Sequence, residues 1–162
     1  MKLILKQAKW SDYTRFMNLC VVDTMPHSSG PCWLGDVYED DGSSFIALDV
    51  AFIGYNHPFR NNGTRLDAIY SLRQMNRRRQ LAYINKNIRA LSRVMVKPEW
   101  RGRGYATEIT RITLPLLNVS FVECLTFADR IAEILRRVGF INYGRVTSDT
   151  CDYYLWLSEV NK

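Results

Sequence analysis

The chain has 162 residues, a net charge of +6 at pH 7, 47% hydrophobic residues and 23% charged residues. This is the composition of a soluble globular protein, and the length suits one domain with a sizeable core. No apolar run approaches the ~18 residues that cross a membrane, and the start MKLILKQAKW lacks the apolar stretch of a signal peptide. We therefore expect a cytoplasmic protein.

Hydrophobic periodicity and turn residues predict the elements along the chain. The first half is predicted to hold a strand at 2–6, a helix at 10–23, and a hairpin of strands at 32–38 and 44–55. The second half is predicted to hold a basic helix at 65–84, a strand at 89–96, a helix at 105–114, a strand at 119–127, a helix at 128–138 closed by Gly139, and a hairpin of strands at 140–146 and 151–157. This order predicts an α/β fold whose mixed, partly parallel sheet carries helices on both faces. We expect one domain over 1–162, with a basic helical insertion at about 56–88.

The cysteines and histidines give no strong metal pattern. The four cysteines are Cys20, Cys32, Cys124 and Cys151, and none forms a CxxC pair. In a cytoplasmic chain they are expected to be reduced and mostly buried thiols. Cys20, His27 and Cys32 are close enough in sequence to suggest a metal clip, but no second pair of ligands follows. We therefore expect no metal site.

The excess positive charge is arginine, with 16 Arg against 6 Lys. The planar guanidinium group suits phosphate and carboxylate partners. A phosphate-rich partner and a merely solvated basic surface are both compatible with this charge. Charge alone does not distinguish a nucleotide cofactor from a nucleic acid.

Residues 96–109, VKPEWRGRGYATEI, join a strand to a helix and carry the clearest chemical signal. Gly102 and Gly104 let the backbone curl and approach a ligand, while Arg101 and Arg103 add full positive charges. The following helix start contributes N–H groups without helical partners and the positive end of the helix dipole. These features predict a phosphate cradle. The segment is neither a Walker loop nor a complete GxGxxG motif.

The six residues Arg101-Gly102-Arg103-Gly104-Tyr105-Ala106 resemble the Arg/Gln-x-x-Gly-x-Gly/Ala signature of the GCN5-related N-acetyltransferases (GNAT). Residues 128–140, which end in Val138-Gly139-Phe140, resemble the second motif of that family. The resemblance is specific over residues 89–143, and the first half of the chain matches only in the order of its elements.

The resemblance implies a GNAT-like sheet whose fourth and fifth strands splay apart around acetyl-coenzyme A (acetyl-CoA). Backbone N–H groups between Gly102 and Ala106 would hold the pyrophosphate, and main-chain groups of Val94 and Val96 would pair with the pantetheine arm. It also implies direct transfer of an acyl group to an amine, without a covalent enzyme intermediate. The cofactor-binding set is then Val94, Val96, Arg101, Gly102, Arg103, Gly104, Tyr105 and Ala106.

The match fails at the usual acid and base of the family. Many members carry a tyrosine four residues before the glycine of the Gly-Phe pair, where this chain has Leu135. Many also carry a glutamate early in the fourth strand, where this chain has Ala-Leu-Ser at 90–92. Three explanations stay open. Other residues act as the acid and base, or the reaction differs from simple amine acetylation, or the chain is not an active transferase.

Glu123, Arg93 and Tyr143 are the candidate catalytic residues. Glu123 lies in the apolar run 119–127, and Arg93 lies in the neighbouring predicted strand, where a charge is costly unless it is paired or functional. One interpretation is an Arg93–Glu123 ion pair that only closes the strands. In another, Glu123 acts as the base or the pair orients the substrate. Further candidates are Cys124 as a nucleophile, Tyr70 as an alternative phenol, and His27 and His57 as bases.

The insertion at about 56–88 carries a cluster of arginines, Arg73, Arg77, Arg78 and Arg79. They form either a solvated helix face or a clamp on a polyanion. Residues 87–94, 114–116 and 122–124 also resemble, more weakly, a branch that holds transferase domains associated with ABC-type ATPases and phage Mom-like DNA-modification proteins. That branch would imply modification of a nucleic-acid base.

Three functions therefore remain open at the level of the sequence. The first is acyl-CoA-dependent transfer to a small amine or a protein amine. The second is Mom-like modification of DNA or RNA, with a base flipped into the pocket. The third is binding of CoA or nucleic acid without catalysis.

Overall fold

The computed structural model describes residues 1–19, 30–39, 44–58, 62–146 and 150–158. Its strands are β1 Lys2–Gln7, β2 Cys32–Tyr38, β3 Phe45–Asn56, β4 Ile88–Val96, β5 Phe121–Thr126, β6 Ile141–Arg145 and β7 Asp152–Leu157. Its α-helices are α1 Gly63–Ala68, α2 Arg77–Asn87, α3 Tyr105–Thr113 and α4 Asp129–Arg137, and its 3₁₀ helices cover Trp10–Leu19, Tyr70–Gln74, Pro98–Trp100 and Leu114–Leu117. Within these described ranges, no helix is long and apolar enough to cross a membrane.

Backbone hydrogen bonds join the strands in the order β1-β2-β3-β4-β5-β7-β6. The pairs β1–β2, β2–β3, β5–β7 and β6–β7 are antiparallel, whereas β4 and β5 run parallel. The predicted mixed, partly parallel sheet is therefore confirmed. The parallel ladder pairs Ile88 with Phe121, Arg89 with Val122, and Ala90 with Glu123.

The chain forms two compact units. The first contains Met1–Asn56 and Leu91–Leu117, and the second contains His57–Ala90 and Asn118–Lys162. The inserted helices α1 and α2 thus belong to the second unit, and the segment that follows β4 belongs to the first. The expectation of one domain over the whole chain stays a prediction.

The core of the first unit is mainly aromatic. Tyr13 and Phe16 of the first 3₁₀ helix pack with Cys32 and Leu34 of β2 and with Phe52 of β3. The ring centroid of Phe52 lies 5.6 Å from that of Tyr13 and 5.9 Å from that of Phe16. Tilted aromatic contacts at this distance stabilise a core beyond the area that they bury.

The element predicted as a helix at 10–23 is a 3₁₀ helix over Trp10–Leu19, and residues 20–23 lie outside the described residues. Its hydrogen bonds span three residues: the N–H of Asp12 donates to the carbonyl of Lys9 and the hydroxyl of Thr14 to that of Ser11. The Asp12 carboxylate also accepts from the N–H of Lys9. Such local side-chain bonds compete with the α-helical pattern.

The core of the second unit joins the insertion to the sheet. Ile69, Leu72 and Ile84 of the insertion pack with Ile88, Tyr153 and Leu155 of the strands. All six side chains are at most 5% exposed. The insertion is therefore a fixed part of the second unit's core.

The prediction of one basic helix at 65–84 is wrong, because the insertion holds α1, a 3₁₀ helix and α2. One break falls at Ile69 (φ −120°, ψ 81°). The other falls at Asn76, whose backbone is extended (φ −65°, ψ 159°) and whose side chain accepts a hydrogen bond from the N–H of Arg79. Asparagine is among the preferred N-cap residues, since its side chain satisfies a free N–H at the helix start. The break at Asn76 also lets Leu72 before it and Ile84 after it face the same core.

Helix α4 ends as the sequence predicts. Gly139 has a φ of 92°, its N–H donates to the carbonyl of Arg136, and the N–H of Phe140 donates to the carbonyl of Leu135. This is the Schellman arrangement, which requires a residue in the left-handed conformation just past the helix. Glycine adopts that conformation without steric cost.

Candidate functional site

The segment after β4 turns sharply before α3, within the first unit. The 3₁₀ helix Pro98–Trp100 follows Lys97, whose N–H donates to the carbonyl of Val50. Gly102 and Gly104 then adopt φ values of 77° and 85°, and α3 begins at the next residue. A side chain would strain both glycine positions, so the sequence needs glycine there for its backbone conformation.

The start of α3 has the features of an anion site. Gly104 is the N-cap residue and supplies no side-chain cap. The N–H of Glu108 donates to the carbonyl of Gly104. A Cβ atom placed on Gly102 or Gly104 would meet no heavy atom within 4 Å, so the backbone faces open space. Helix N–H groups and the helix dipole at such a point favour a phosphate group.

The two arginines of the loop are held beside this helix start. Arg101 donates from Nε to the carbonyl of Val96 at 3.0 Å, and the guanidinium of Arg103 lies 4.7 Å from the ring centroid of Trp100. Both arginines are exposed, whereas Tyr105 is only 4% exposed. The charged groups thus remain available to an anion, and the buried Tyr105 side chain anchors the helix.

The first unit therefore brings together the predicted cofactor-binding residues from Val94 to Ala106. Val94 and Val96 lie in the last part of β4, two residues apart, and are half-buried. Their pairing with a pantetheine arm stays a prediction. Trp100 lies in the predicted turn segment but was not among the predicted cofactor-binding residues, although an aromatic residue three positions before Arg103 is a usable signal for a cation–π contact.

The proposed Arg93–Glu123 ion pair is wrong, because the cation that pairs with Glu123 is Arg65 of α1. Arg65 donates from Nε to Oε2 at 2.7 Å and from Nη2 to Oε1 at 2.6 Å, and the hydroxyl of Tyr153 donates to Oε2 at 2.9 Å. Arg65 and Glu123 are 1% and 2% exposed. Two parallel bonds to one carboxylate are the strongest geometry that arginine offers.

This arrangement argues against Glu123 as a general base. Both carboxylate oxygens accept hydrogen bonds from buried donors, and a base needs an oxygen that reaches its substrate. Burial would lower the pKa of Arg65, but the hydrogen bonds and charge of Glu123 outweigh it and raise that pKa. Burial, together with the charge of Glu123, raises the pKa of Tyr153. Arg65 thus stays charged and Tyr153 stays a neutral donor at neutral pH.

The sequence does hold a signal for Arg65, which was not among the predicted site residues. Arg65, Ile69 and Leu72 are spaced i, i+4 and i+7, which places the arginine on the apolar face of a predicted helix. A charge on such a face needs a buried partner. Tyr153 gave no comparable signal, because a tyrosine in an apolar strand is common.

Arg93 lies on β4 and contacts Tyr13 in the first unit. Its Nε donates to the Tyr13 hydroxyl at 3.2 Å, its guanidinium lies 5.9 Å from the centroid of that ring, and Nη1 donates to the carbonyl of Ser92. The tyrosine is 1% exposed, so it acts as a fixed platform for the guanidinium. This holds a positive charge one residue away from Val94.

Cys124 is a poor nucleophile in this fold. Burial, with a smaller contribution from the charge of Glu123, raises the pKa of the Cys124 thiol to about 12. The thiolate is the reactive form, so Cys124 is a thiol at neutral pH and inert. Cys32 is similar, since burial raises the pKa of its thiol to about 11. Cys32, Cys124 and Cys151 are free cysteines.

The other predicted site residues are dispersed. Tyr143 is 39% exposed on β6 with its ring 6.4 Å from that of Tyr153, Tyr70 is 69% exposed, and His57 is exposed. Leu135 is fully buried, so an apolar side chain fills the place of the usual tyrosine.

His27 and Cys20 lie outside the described residues. Among the residues that the structure does describe, no group of three potential metal ligands lies together.

A scan of protein-family models gives no match, and a search of curated proteins gives none. Solved structures do match, over nearly the whole chain. An acetyltransferase of the GNAT family from Bacillus cereus is 17% identical with a TM-score of 0.60, over 98% of this chain and 99% of that one. The aminoglycoside acetyltransferase AAC(6')-Ib in complex with coenzyme A is 10% identical with a TM-score of 0.62, over 98% and 96%. The spermidine/spermine N-acetyltransferase SpeG from Vibrio cholerae is 11% identical with a TM-score of 0.54, over 96% and 95%.

Proposed function

We propose that this chain, which has the GNAT fold, is an acyltransferase that moves an acetyl group from acetyl-CoA directly to an amine. The observation that carries the proposal is the helix start at Gly104. It combines two glycines of positive φ, an uncapped helix and two flanking arginines in one exposed turn. The solved structures that share the fold include transferases of aminoglycosides and of spermidine and spermine, which are amines.

The residues present fit the pyrophosphate of acetyl-CoA. The open space above Gly102 and Gly104 leaves room for a phosphate to approach the backbone, and Arg101 and Arg103 supply two positive charges beside it. When bound, the cofactor supplies a thioester as the acyl donor. The chain's own part is to hold that donor along the end of β4 and the start of α3 and to orient it toward the amine.

The proposed transfer does not use Glu123. Arg93 is our proposed electrostatic residue, because a guanidinium beside the strand that holds the thioester stabilises a developing oxyanion. A nearby positive charge also favours the neutral, nucleophilic form of an incoming amine. Tyr143, with its exposed phenol, stays a predicted catalytic residue. The described cysteines, Cys32, Cys124 and Cys151, are free thiols, which supports a place of action in the cytoplasm.

The first test is calorimetric titration of the purified protein with acetyl-CoA. We expect a dissociation constant of about 1 to 100 μM, in the range usual for enzyme cofactors and substrates. Gly104→Asp should abolish the binding, because its carboxylate repels the pyrophosphate and its Cβ disturbs the left-handed turn.

The matched control is Gly144→Asp, because Gly144 of β6 has a φ of 87° and equally open surroundings. This variant adds the same charge and the same strain elsewhere, so it should bind acetyl-CoA like the wild type. Normal binding by Gly104→Asp would contradict the cofactor assignment. Binding without release of free CoA on any amine tested would instead indicate a protein that binds CoA without catalysis.

A further inference from the structure

The positive charge of the chain is concentrated in its insertion. Between positions 56 and 88 the sequence holds seven Arg and Lys residues against one Asp, a net charge of +6, and the other residues hold 15 of each sign. Two of these charges are neutralised in the structure: Arg65 pairs with the buried Glu123, and Arg73 pairs with Asp67. Of the other five, Arg77, Arg78, Arg79 and Lys86 lie on α2, and Arg60 lies outside the described residues.

The first turn of α2 consists of Arg77, Arg78 and Arg79, all of them exposed. Together with Asn76 and Ala82 they line an open cavity of about 640 Å³. Within the described part of the chain, the side chains of Arg78 and Arg79 have no hydrogen-bond or ion-pair partner. We call these three residues the α2 arginine patch.

The patch is partly ordered before any ligand arrives. Arg77 donates from Nη1 to Oε1 of Gln80 at 2.9 Å, and Nε2 of Gln80 donates to the carbonyl of Leu72 at 3.1 Å. Gln80 is only 7% exposed, so a buried side chain braces the first arginine. A pre-ordered side chain loses less entropy when it binds a ligand.

The three arginines lie at the start of α2, where positive charges destabilise a helix. Arginines at the first three positions of a helix face the positive end of its dipole, and α2 has no acidic residue in its first turn. The side chain of Asn76 already accepts from the N–H of Arg79, so the proposal concerns the arginine side chains. An anionic partner of the side chains would explain why three positive charges stand where acidic residues are favourable.

We propose that the α2 arginine patch binds the phosphate backbone of a nucleic acid. Among the described residues that line the cavity, Ala82 alone has no polar group, and three of the others carry exposed guanidinium groups. This lining favours phosphates over an acidic protein, because protein interfaces have an apolar centre. Binding to phosphates needs only positive charge and the paired N–H donors of a guanidinium group, and it carries no preference for a nucleotide sequence. This inference is independent of the proposed acyl transfer, and the nucleic acid is a bound partner whether or not it is modified.

The test measures fluorescence anisotropy of a labelled 20-base-pair duplex and a 20-nucleotide single strand at several NaCl concentrations, without acetyl-CoA. Arg78→Gln combined with Arg79→Gln should weaken binding at least tenfold at low salt. It should also reduce the slope of log K against log salt for the duplex by about 1.8, because each phosphate that an arginine neutralises adds about 0.9 to that slope.

The matched control is Arg136→Gln combined with Arg137→Gln on α4, where both exposed arginines pair with Glu133. This pair removes the same net charge from another surface, so it should change affinity less than about twofold. If the two double variants weakened binding equally, the proposal would be overturned in favour of general attraction to a basic protein. Absence of binding by the wild type, or poly-glutamate competing as well as the oligonucleotide, would overturn it too.

A single variant separates a defect in binding from a defect in folding. Arg79→Glu places a glutamate three residues after the N-cap Asn76, which creates a capping box and removes a charge that opposes the dipole. We expect its Tm to rise by about 1 to 4 °C while binding is abolished. Undiminished binding by this variant would overturn the proposal.

Discussion

At the scale of single residues, Glu123 shows how burial limits what a carboxylate does. Its neighbours in the sequence are apolar, and the charge is tolerated because Arg65 and Tyr153 surround it with three hydrogen bonds. Such a group holds elements together, and its burial among these donors keeps a substrate away from it. Its pairing ties α1 of the insertion to β5 and β7 of the second unit.

Replacing Glu123 with leucine should lower the free energy of unfolding by about 3 to 5 kcal/mol, because Arg65 would remain buried without its partner. The double variant Arg65→Met, Glu123→Leu should recover most of that decrease, since apolar side chains can replace a buried pair at little cost. Urea unfolding of the wild type, both single variants and the double variant measures the coupling. Additive effects would show that the two residues do not act as a pair.

At the scale of elements, the starts of α2 and α3 differ in how they satisfy their N–H groups. Asn76 caps α2 with its own side chain, whereas Gly104 leaves the start of α3 without a side-chain cap. A capped start stabilises a helix, and an uncapped one at an exposed turn is suited to a ligand. The two helix starts are therefore suited to different tasks, although both lie in basic segments.

Asn76→Ala should lower the free energy of unfolding by about 1 kcal/mol, the usual effect of removing an N-cap side chain. Asn76→Asp should keep the cap and favour the helix dipole, so its stability should equal or exceed that of the wild type. Thermal and urea unfolding compare the three proteins. Equal stability of the alanine and wild-type proteins would contradict the assigned cap.

At the scale of the whole molecule, the net positive charge lies in the insertion at 56–88. Outside the insertion acidic and basic residues balance, and in the first unit several of them pair around Asp49. Its carboxylate contacts Nζ of Lys6 at 2.7 Å and the guanidinium of Arg15. Partial burial alone would raise the pKa of Asp49, but the hydrogen bonds and charges of Lys6 and Arg15 outweigh it and lower that pKa.

This lowered pKa predicts a contribution to stability that depends on pH. The folded state binds the Asp49 proton less tightly than the unfolded state does, so the contribution is complete above the unfolded pKa of about 3.9. It is lost as the pH falls through the lower pKa of the folded state. We expect less than about 1 kcal/mol, because Lys6 and Arg15 are largely solvated.

Urea unfolding between pH 6 and pH 2 measures this contribution by comparison with Asp49→Asn. Asparagine tolerates the φ of 51° at this position and cannot ionise, so the stability of the variant should fall less steeply in acid. Parallel curves for the two proteins would exclude a role of Asp49 in acid unfolding.

The sequence by itself determined the mixed type of the sheet, the two-glycine turn before α3 and the glycine end of α4. The order of strands and helices along the chain predicts the sheet, and the two turns depend on contiguous residues, such as the glycines and arginines at 101–104, so local sterics suffice to predict them. Only the tertiary structure decided which charge pairs with Glu123, because Arg65 lies 58 residues away and reaches it only when the insertion packs on the sheet. It also divided the predicted basic helix into three elements, since packing on a common core outweighs helix propensity at the breaks.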